Sequence, residues 1–224
     1  MTIRDWPKAE RPREKLLDRG AVALSDAELL AVLLGSGTRR GSAVELARGL
    51  LKEFGSLRDL LTSERKRCLG QSGVGLARYS VLQASLELAR RHYRDNLRMG
   101  CSLTAPQATR EFLLAQLRDR PFEVFCCLHL DSRHRLIAFE EMFRGTINGA
   151  SVHPREVVRE ALVRNSAAVI FAHNHPSGAA EPSEADYYIT RRLRDLLLAV
   201  DVKVVDHVIV GDTKCYSFAD RGLL

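Results

Sequence analysis

A chain of 224 residues is long enough to bury the core of one large domain or of two small ones. Its 46% apolar and 28% charged residues are the mixture of a globular protein rather than a disordered tract. No apolar run approaches the ~20 residues of a membrane span, and the opening MTIRDWPKAERPREK lacks the apolar stretch of a secretory signal. A membrane-embedded or exported protein is therefore not expected. Five cysteines without framework spacing suit a reducing cytoplasm. The charge is unevenly placed. Residues 1–100 carry 19 Lys and Arg against 12 Asp and Glu, a net of +7, whereas residues 101–224 carry 15 against 16, a net of −1. Any contact with nucleic acid is expected in the first part, the alternative being a basic surface that only keeps the domain in solution.

Residues 1–12 read as an extended basic leader, with Pro7 and Pro12 opposing an early helix. Ser25 caps the helical run DAELLAVLL, with Glu28 at the capping-box position. GSGTRRGS breaks that run, and AVELARGLLKEF resumes the helical period until Gly55 stops it. LRDLL leads to the basic cluster Arg65-Lys66-Arg67. After QSGVG, the stretch ARYSVLQASLELARRHY places Val81, Leu82, Leu86 and Ala89 at helical spacing. No strand is predicted in this half. The Gly73-Val74-Gly75 turn resembles a helix–hairpin–helix element, in which backbone N–H groups and a nearby Arg78 would meet a DNA phosphate. Tyr79 stands where that element usually has a small residue, so a plain tight turn between packed helices is the competing reading.

Asp95 to Thr104 is the expected linker. A helix is then predicted over about 106–118, followed by a buried strand in FEVFCCLHL, the turn DSRH, and a second strand in RLIAFEEMF. Gly145 to Ala150 reads as irregular. REVVREALVRN, behind Pro154, is a helix, AAVIFA a strand, Tyr187 to Val200 a helix, VKVVDHVIV a strand, and CYSFA a last strand. The unit AAVIFA–helix–VKVVDHVIV is a strand–helix–strand segment, expected to be parallel.

The chemistry concentrates in FAHNHPSGAAEPSEAD, residues 171–186. In an extended strand, residues i and i+2 point the same way, so His173 and His175 project together from a strand end. Pro182 and Ser183 open a helix that holds Asp186 in its first turn. Two imidazoles and one carboxylate give a single metal ion three protein ligands, and zinc then keeps a fourth position for water, as catalytic sites do. A general base that is not a ligand is also needed, and Glu123, Glu140 and Glu141 are the candidates. His207, preceded by Asp206 within a strand, reads first as a satisfied structural histidine, with a group supporting the ligands or an alternative ligand as the other readings. The remaining histidines have no partner at metal spacing.

The spacing H-x-H-x7-S-x2-D, filled by His173, His175, Ser183 and Asp186, resembles the signature of the JAMM (MPN+) metallopeptidases. HNHPSG, the following PS and D, and VVDHVIV downstream are similar to the bacterial RadC-like branch, as are ERPREKLL and LSDAELLAVLLGSG near the start. The resemblance implies a mixed sheet flanked by helices with Zn2+ at a strand end. It implies that the base precedes a core strand following the first helix of the domain, where Glu123 stands, and that Ser183 donates a hydrogen bond to the developing oxyanion. A Ser at this place is also an ordinary helix N-cap, and one hydroxyl can hardly do both at once.

The expected protein is thus of the α/β (α+β) class: a helical domain over 1–98, then a JAMM-type domain over 102–224. The expected reaction is zinc-dependent hydrolysis of a peptide or isopeptide bond in a peptide or protein substrate, with non-specific DNA contact through the helical half and none with membranes. The main rival is a non-enzymatic DNA-associated module, serving repair or recombination, whose zinc site is structural or inactive. Metal-dependent phosphodiester hydrolysis is disfavoured, because two-metal sites need more carboxylates than this loop offers.

Overall fold

A computed structural model describes residues 3–98, 106–145 and 152–224. The greater part of the linker assigned to 95–104, the start of the following helix at Thr104, and most of the irregular stretch 145–150 lie outside these residues. The chain divides into two compact units, residues 1–89 and 90–224.

The first unit is helical: α1 (Pro12–Arg19), α2 (Asp26–Leu34), α3 (Ala43–Phe54), α4 (Leu57–Thr62), α5 (Arg65–Leu69) and the start of α6 (Leu76–Arg98). Three expectations need correction. Pro12 opens α1 instead of opposing a helix, because at the first helical position its missing N–H costs nothing. Ile3–Asp5 and Lys8–Glu10, read as part of an extended leader, form short 3-10 helices. Helix α6 continues through Asp95 to Arg98, so the first residues of the assigned linker are helical. Ser25 and Ser42 each make a complete capping box, with Glu28 and Glu45 returning to the cap backbone. Leu30, Leu34, Val44, Ala47, Leu50 and Leu82 are among the residues of one apolar core.

The Gly73–Gly75 turn is packed at Gly73 and open at Gly75. A Cβ on Gly73 would lie 2.6 Å from Thr38 Cγ2, and its φ of +88° is one that only glycine adopts cheaply. The Arg78 guanidinium donates to the carbonyls of Ser36 (2.7 Å), Gly37 (2.8 Å) and Gly73. Arg78 therefore ties the 36–38 loop to the turn and is not held out for a phosphate.

The second unit is built on a five-stranded sheet, in the order β2-β1-β3-β4-β5. Its elements are α7 (Pro106–Leu117), β1 (Val124–Leu130), β2 (Leu136–Arg144), α8 (Pro154–Val163), β3 (Ala168–Asn174), α9 (Glu184–Leu198), β4 (Lys203–Val210) and β5 (Cys215–Ser217). Strand β1 is antiparallel to β2 and β3, whereas β3 and β4, joined by α9, are parallel. All seven residues of β1 and of β3 are buried, as befits central strands covered on both sides. Val124, Cys126, Leu128, Ile170, Ala172 and Val208 pack against Phe112, Leu113 and Leu117 of α7. Phe125, Cys127, Val169 and Phe171 pack on the other face, against Val157 and Ala161 of α8 and Leu193 and Leu197 of α9. This second face carries the histidines. The described cysteines, Cys68, Cys126, Cys127 and Cys215, are free.

Candidate metal centre

Strand β3 runs two residues further than the apolar pattern suggests, so His173 is a buried strand residue and His175 stands just past the strand end. Across the crossover, α9 begins after Ser183 and carries Asp186 in its first turn. The three side chains converge. His173 Nε2 lies 3.0 Å from His175 Nε2 and 3.1 Å from Asp186 Oδ1, and His175 Nε2 lies 3.7 Å from Asp186 Oδ2. Ligands bonded tetrahedrally to zinc at 2.0–2.1 Å stand about 3.3 Å apart, so these separations suit one small ion without rearrangement of the backbone. Among the described residues, no fourth His, Cys, Asp or Glu joins the group.

Each ligand is held from behind. His175 Nδ1 lies 2.8 Å from the Ala179 carbonyl, which can only accept, so the ring proton sits on Nδ1 and Nε2 is left to bind. The loop carrying it is fixed to the β4–β5 turn: the Asp212 N–H donates to the Gly178 carbonyl at 2.9 Å, and a Cβ on Gly211 would come within 2.5 Å of that same oxygen. His173 Nδ1 lies 2.9 Å from His207 Nε2, and His207 Nδ1 lies 2.6 Å from Thr190 Oγ1. His207 is fully buried and lies among Phe125, Phe171 and Phe218, the last stacked on it at 5.1 Å. Burial, and after it the neighbouring His173, holds its proton affinity well below that of a free imidazole. His207 thus backs a ligand and faces away from the ion position. Asp206 turns elsewhere and holds Ser217 Oγ at 2.7 Å and the Ala219 N–H at 3.0 Å.

Ser183 stands as the N-cap of α9. Its Oγ accepts the Asp186 N–H at 3.2 Å and donates to Asp186 Oδ2 at 2.6 Å, and its own N–H reaches the same oxygen at 2.7 Å. For Asp186, burial alone pushes the carboxyl up. Hydrogen bonds from His173, His175 and Ser183, with the charge of His173, more than reverse this and hold it well below the usual carboxylate range. His175 is raised, first by its hydrogen bond with Asp186 against the opposing effect of burial, then by the Ala179 carbonyl and the charges of Asp186 and Glu123.

Glu123 is half-buried and directly precedes β1, with its carbonyl accepting the Gly145 N–H at 2.9 Å. Phe125 pairs with His173 at the end of the β1–β3 ladder, and Glu123, two residues before Phe125, adds its charge to the pull on the His175 proton. Glu140 and Glu141 are otherwise engaged: Glu140 with Arg164, and Glu141 with Arg120 and with Arg144 at 2.8 Å. His129, fully buried near the far end of β1, has its Nδ1 2.9 Å from Ser166 Oγ.

Two contributions escaped sequence reasoning. Asn174, between the two histidines, accepts the Val124 N–H at 2.9 Å and donates to the carbonyls of Phe122 (3.0 Å) and Arg120 (3.3 Å). It thereby fixes the segment that carries Glu123. Thr190 lies four residues after Asp186, on the same helix face, a spacing that could have singled it out.

The end of a central strand, to which two histidines and a helix-borne aspartate bring a three-ligand site, defines a JAB-type domain. The comparisons agree: the family profile described as "RadC-like JAB domain" matches residues 103–223, and that described as "UPF0758 N-terminal" matches residues 3–80. The chain belongs to the RadC-like family of JAB-domain proteins. It is 62% identical to a UPF0758 protein of Thioalkalivibrio sulfidiphilus and 61% identical to one of Nitrosococcus oceani, each over the full length of both chains. It is 57% identical to a UPF0758 protein of Stutzerimonas stutzeri over 99% of both.

Proposed function

We propose that the second unit is a zinc-dependent hydrolase of peptide or isopeptide bonds. The observation that carries this reading is that three ligands, and no fourth, come together among the described residues. His173, His175 and Asp186 supply three ligands, and a closed structural zinc site takes four. When bound, zinc supplies a Lewis acid for the amide carbonyl and a water of lowered pKa. The chain supplies the rest. Glu123 takes a proton from the attacking water and returns it to the leaving amine nitrogen. Ser183 turns its hydroxyl from Asp186 Oδ2 to the developing oxyanion, while its backbone N–H keeps hold of that carboxylate. Glu123, whose charge acts on His175 although it is not one of the three ligands, supports this over a scaffold role, in which a base has no use.

The deciding experiment is metal analysis of the purified full-length chain together with a peptide and isopeptide library assay. Glu123→Gln keeps the shape and removes the base, so turnover should fall by about 10²–10⁴-fold with zinc content unchanged. A wild-type chain without stoichiometric zinc, or a fully active Glu123→Gln variant, sinks the reading.

For the first unit we propose weak, sequence-independent binding of nucleic acid, as an adjunct to this activity. What supports it is the charge of residues 1–89, 15 Lys and Arg against 11 Asp and Glu, and the exposure of Arg39, Arg40, Arg65, Lys66 and Arg67.

A further inference from the structure

We propose that Thr190 and His207 form a one-way hydrogen-bond chain that fixes the tautomer of His173 and leaves its Nε2 bare. The use of that bare nitrogen rests on the zinc-site reading above, but the hydrogen-bond logic stands without it.

The chain runs through three contacts: His173 Nδ1, 2.9 Å from His207 Nε2; His207 Nδ1, 2.6 Å from Thr190 Oγ1; and Thr190 Oγ1, 2.5 Å from the Asp186 carbonyl. Imidazole nitrogens and a hydroxyl can each donate or accept, so the first two contacts leave the direction open. The last does not. A carbonyl oxygen only accepts, so the single proton of Thr190 points at Asp186. Thr190 must then accept from His207, which places the His207 proton on Nδ1. His207 Nε2 is left with a lone pair, and His173 must donate to it from Nδ1. The free lone pair of His173 therefore lies on Nε2, the atom 3.0 Å from His175 Nε2 and 3.1 Å from Asp186 Oδ1.

The reverse arrangement fails at one contact or another. A bare His173 Nδ1 either meets the lone pair of His207 Nε2, or forces the His207 proton onto Nε2. In the second case a bare His207 Nδ1 faces a hydroxyl whose proton is already committed. Water does not relieve either conflict at His207, whose ring is buried among phenylalanines. Asp186 Oδ1 can attract a second proton onto His173 Nε2 in the ion-free protein, but this leaves the proton on Nδ1 in place. The chain also closes on itself. It starts behind one ligand and ends on the backbone of another, so the aspartate's own peptide unit dictates which nitrogen of His173 can bind. Thr190 and His207 are positioning residues that act through His173.

The test uses the full-length chain labelled with 15N at histidine. Long-range 1H–15N spectra of the metal-free protein should show His173 and His207 both protonated at Nδ1. Zinc affinity is then measured against a chromophoric chelator. Thr190→Val keeps the shape and removes the relay, so both rings should populate mixed tautomers, with zinc bound about 10–100-fold more weakly. Thr190→Ser should restore the wild-type spectrum and affinity. His207→Gln, whose side-chain oxygen accepts and whose amide donates, should retain most of the affinity. A bare Nδ1 on His173 in the wild type overturns the proposal, and so does a Thr190→Val variant that binds zinc as tightly as the wild type. The expected tautomers in a protein that binds no zinc would remove the metal reading and leave the chain standing. If Thr190→Val does not fold, the wild-type spectrum decides alone.

Discussion

At the scale of single residues, the site is governed by competition between protons and a metal ion. His175 holds its proton more tightly than a free imidazole, first because of the Asp186 carboxylate 3.7 Å from its Nε2, then because the Ala179 carbonyl and the charge of Glu123 add to the pull. A raised proton affinity means the proton is still bound at pH values where an ordinary histidine, near 6.5, has lost it. Zinc must displace that proton, so affinity should begin to fall above the ordinary imidazole range as the pH is lowered. Isothermal titration at several pH values checks this, with proton release visible in buffers of different ionisation heat. Glu123→Gln removes one of the charges and should move the fall to lower pH. A profile that drops only below ~6, unchanged by Glu123→Gln, would contradict the electrostatics described.

At the scale of elements, Asn174 joins strand β3 to the segment leading into β1, in place of the regular ladder. Replacing it with Ala leaves the buried Val124 N–H without its partner, at about 1–3 kcal/mol, whereas the half-exposed Phe122 and Arg120 carbonyls can turn to water. Asn174→Ala should destabilise the sheet unit by about 1–3 kcal/mol and speed hydrogen exchange at the Val124 amide. Equal protection in variant and wild type would show that the amide is not fastened there. Asn174 also marks how far sequence reading reaches. The elements were legible because apolar periodicity and capping residues are local. The ligand set was legible because a strand end and a helix start are close in the chain. The couplings between distant strands were not. That Asn174 ties down the approach to Glu123, and that His207 lies behind His173, follow from the order β1-β3-β4 and its register, which no local pattern encodes. The helix–hairpin–helix likeness misled for the same reason: the sequence shows Arg78 beside the turn but not that loop 36–38 takes up its guanidinium.

At the scale of the whole molecule, the excess of positive charge and the candidate ligands lie in different stretches of the chain. The described ligands all lie beyond residue 170, and the excess of positive charge lies before residue 100. If the basic unit meets nucleic acid, binding of a short fluorescent duplex to the full chain should weaken steeply with added salt, as phosphates regain their counterions. The double change Arg39→Gln, Arg40→Gln should lower the slope of log affinity against log salt by about two, one for each phosphate that is no longer neutralised. Anisotropy titrations that show no binding even at low salt would remove the nucleic-acid proposal and leave the hydrolase proposal unaffected.

Asp186 is at once a metal ligand and the partner of Ser183 in the cap of α9, and this bears on when the ion arrives. In proteins whose fold exists only around a metal, loading and folding are one event, and a shortage of metal means a loss of protein. Here the carboxylate is oriented by two donors from Ser183, and the imidazoles by Ala179 and His207, all belonging to the chain itself. If the site binds a metal as proposed, a chelator should strip the ion without unfolding the sheet unit, and the polypeptide would serve as a standing receptor whose occupancy follows the metal supply of its surroundings.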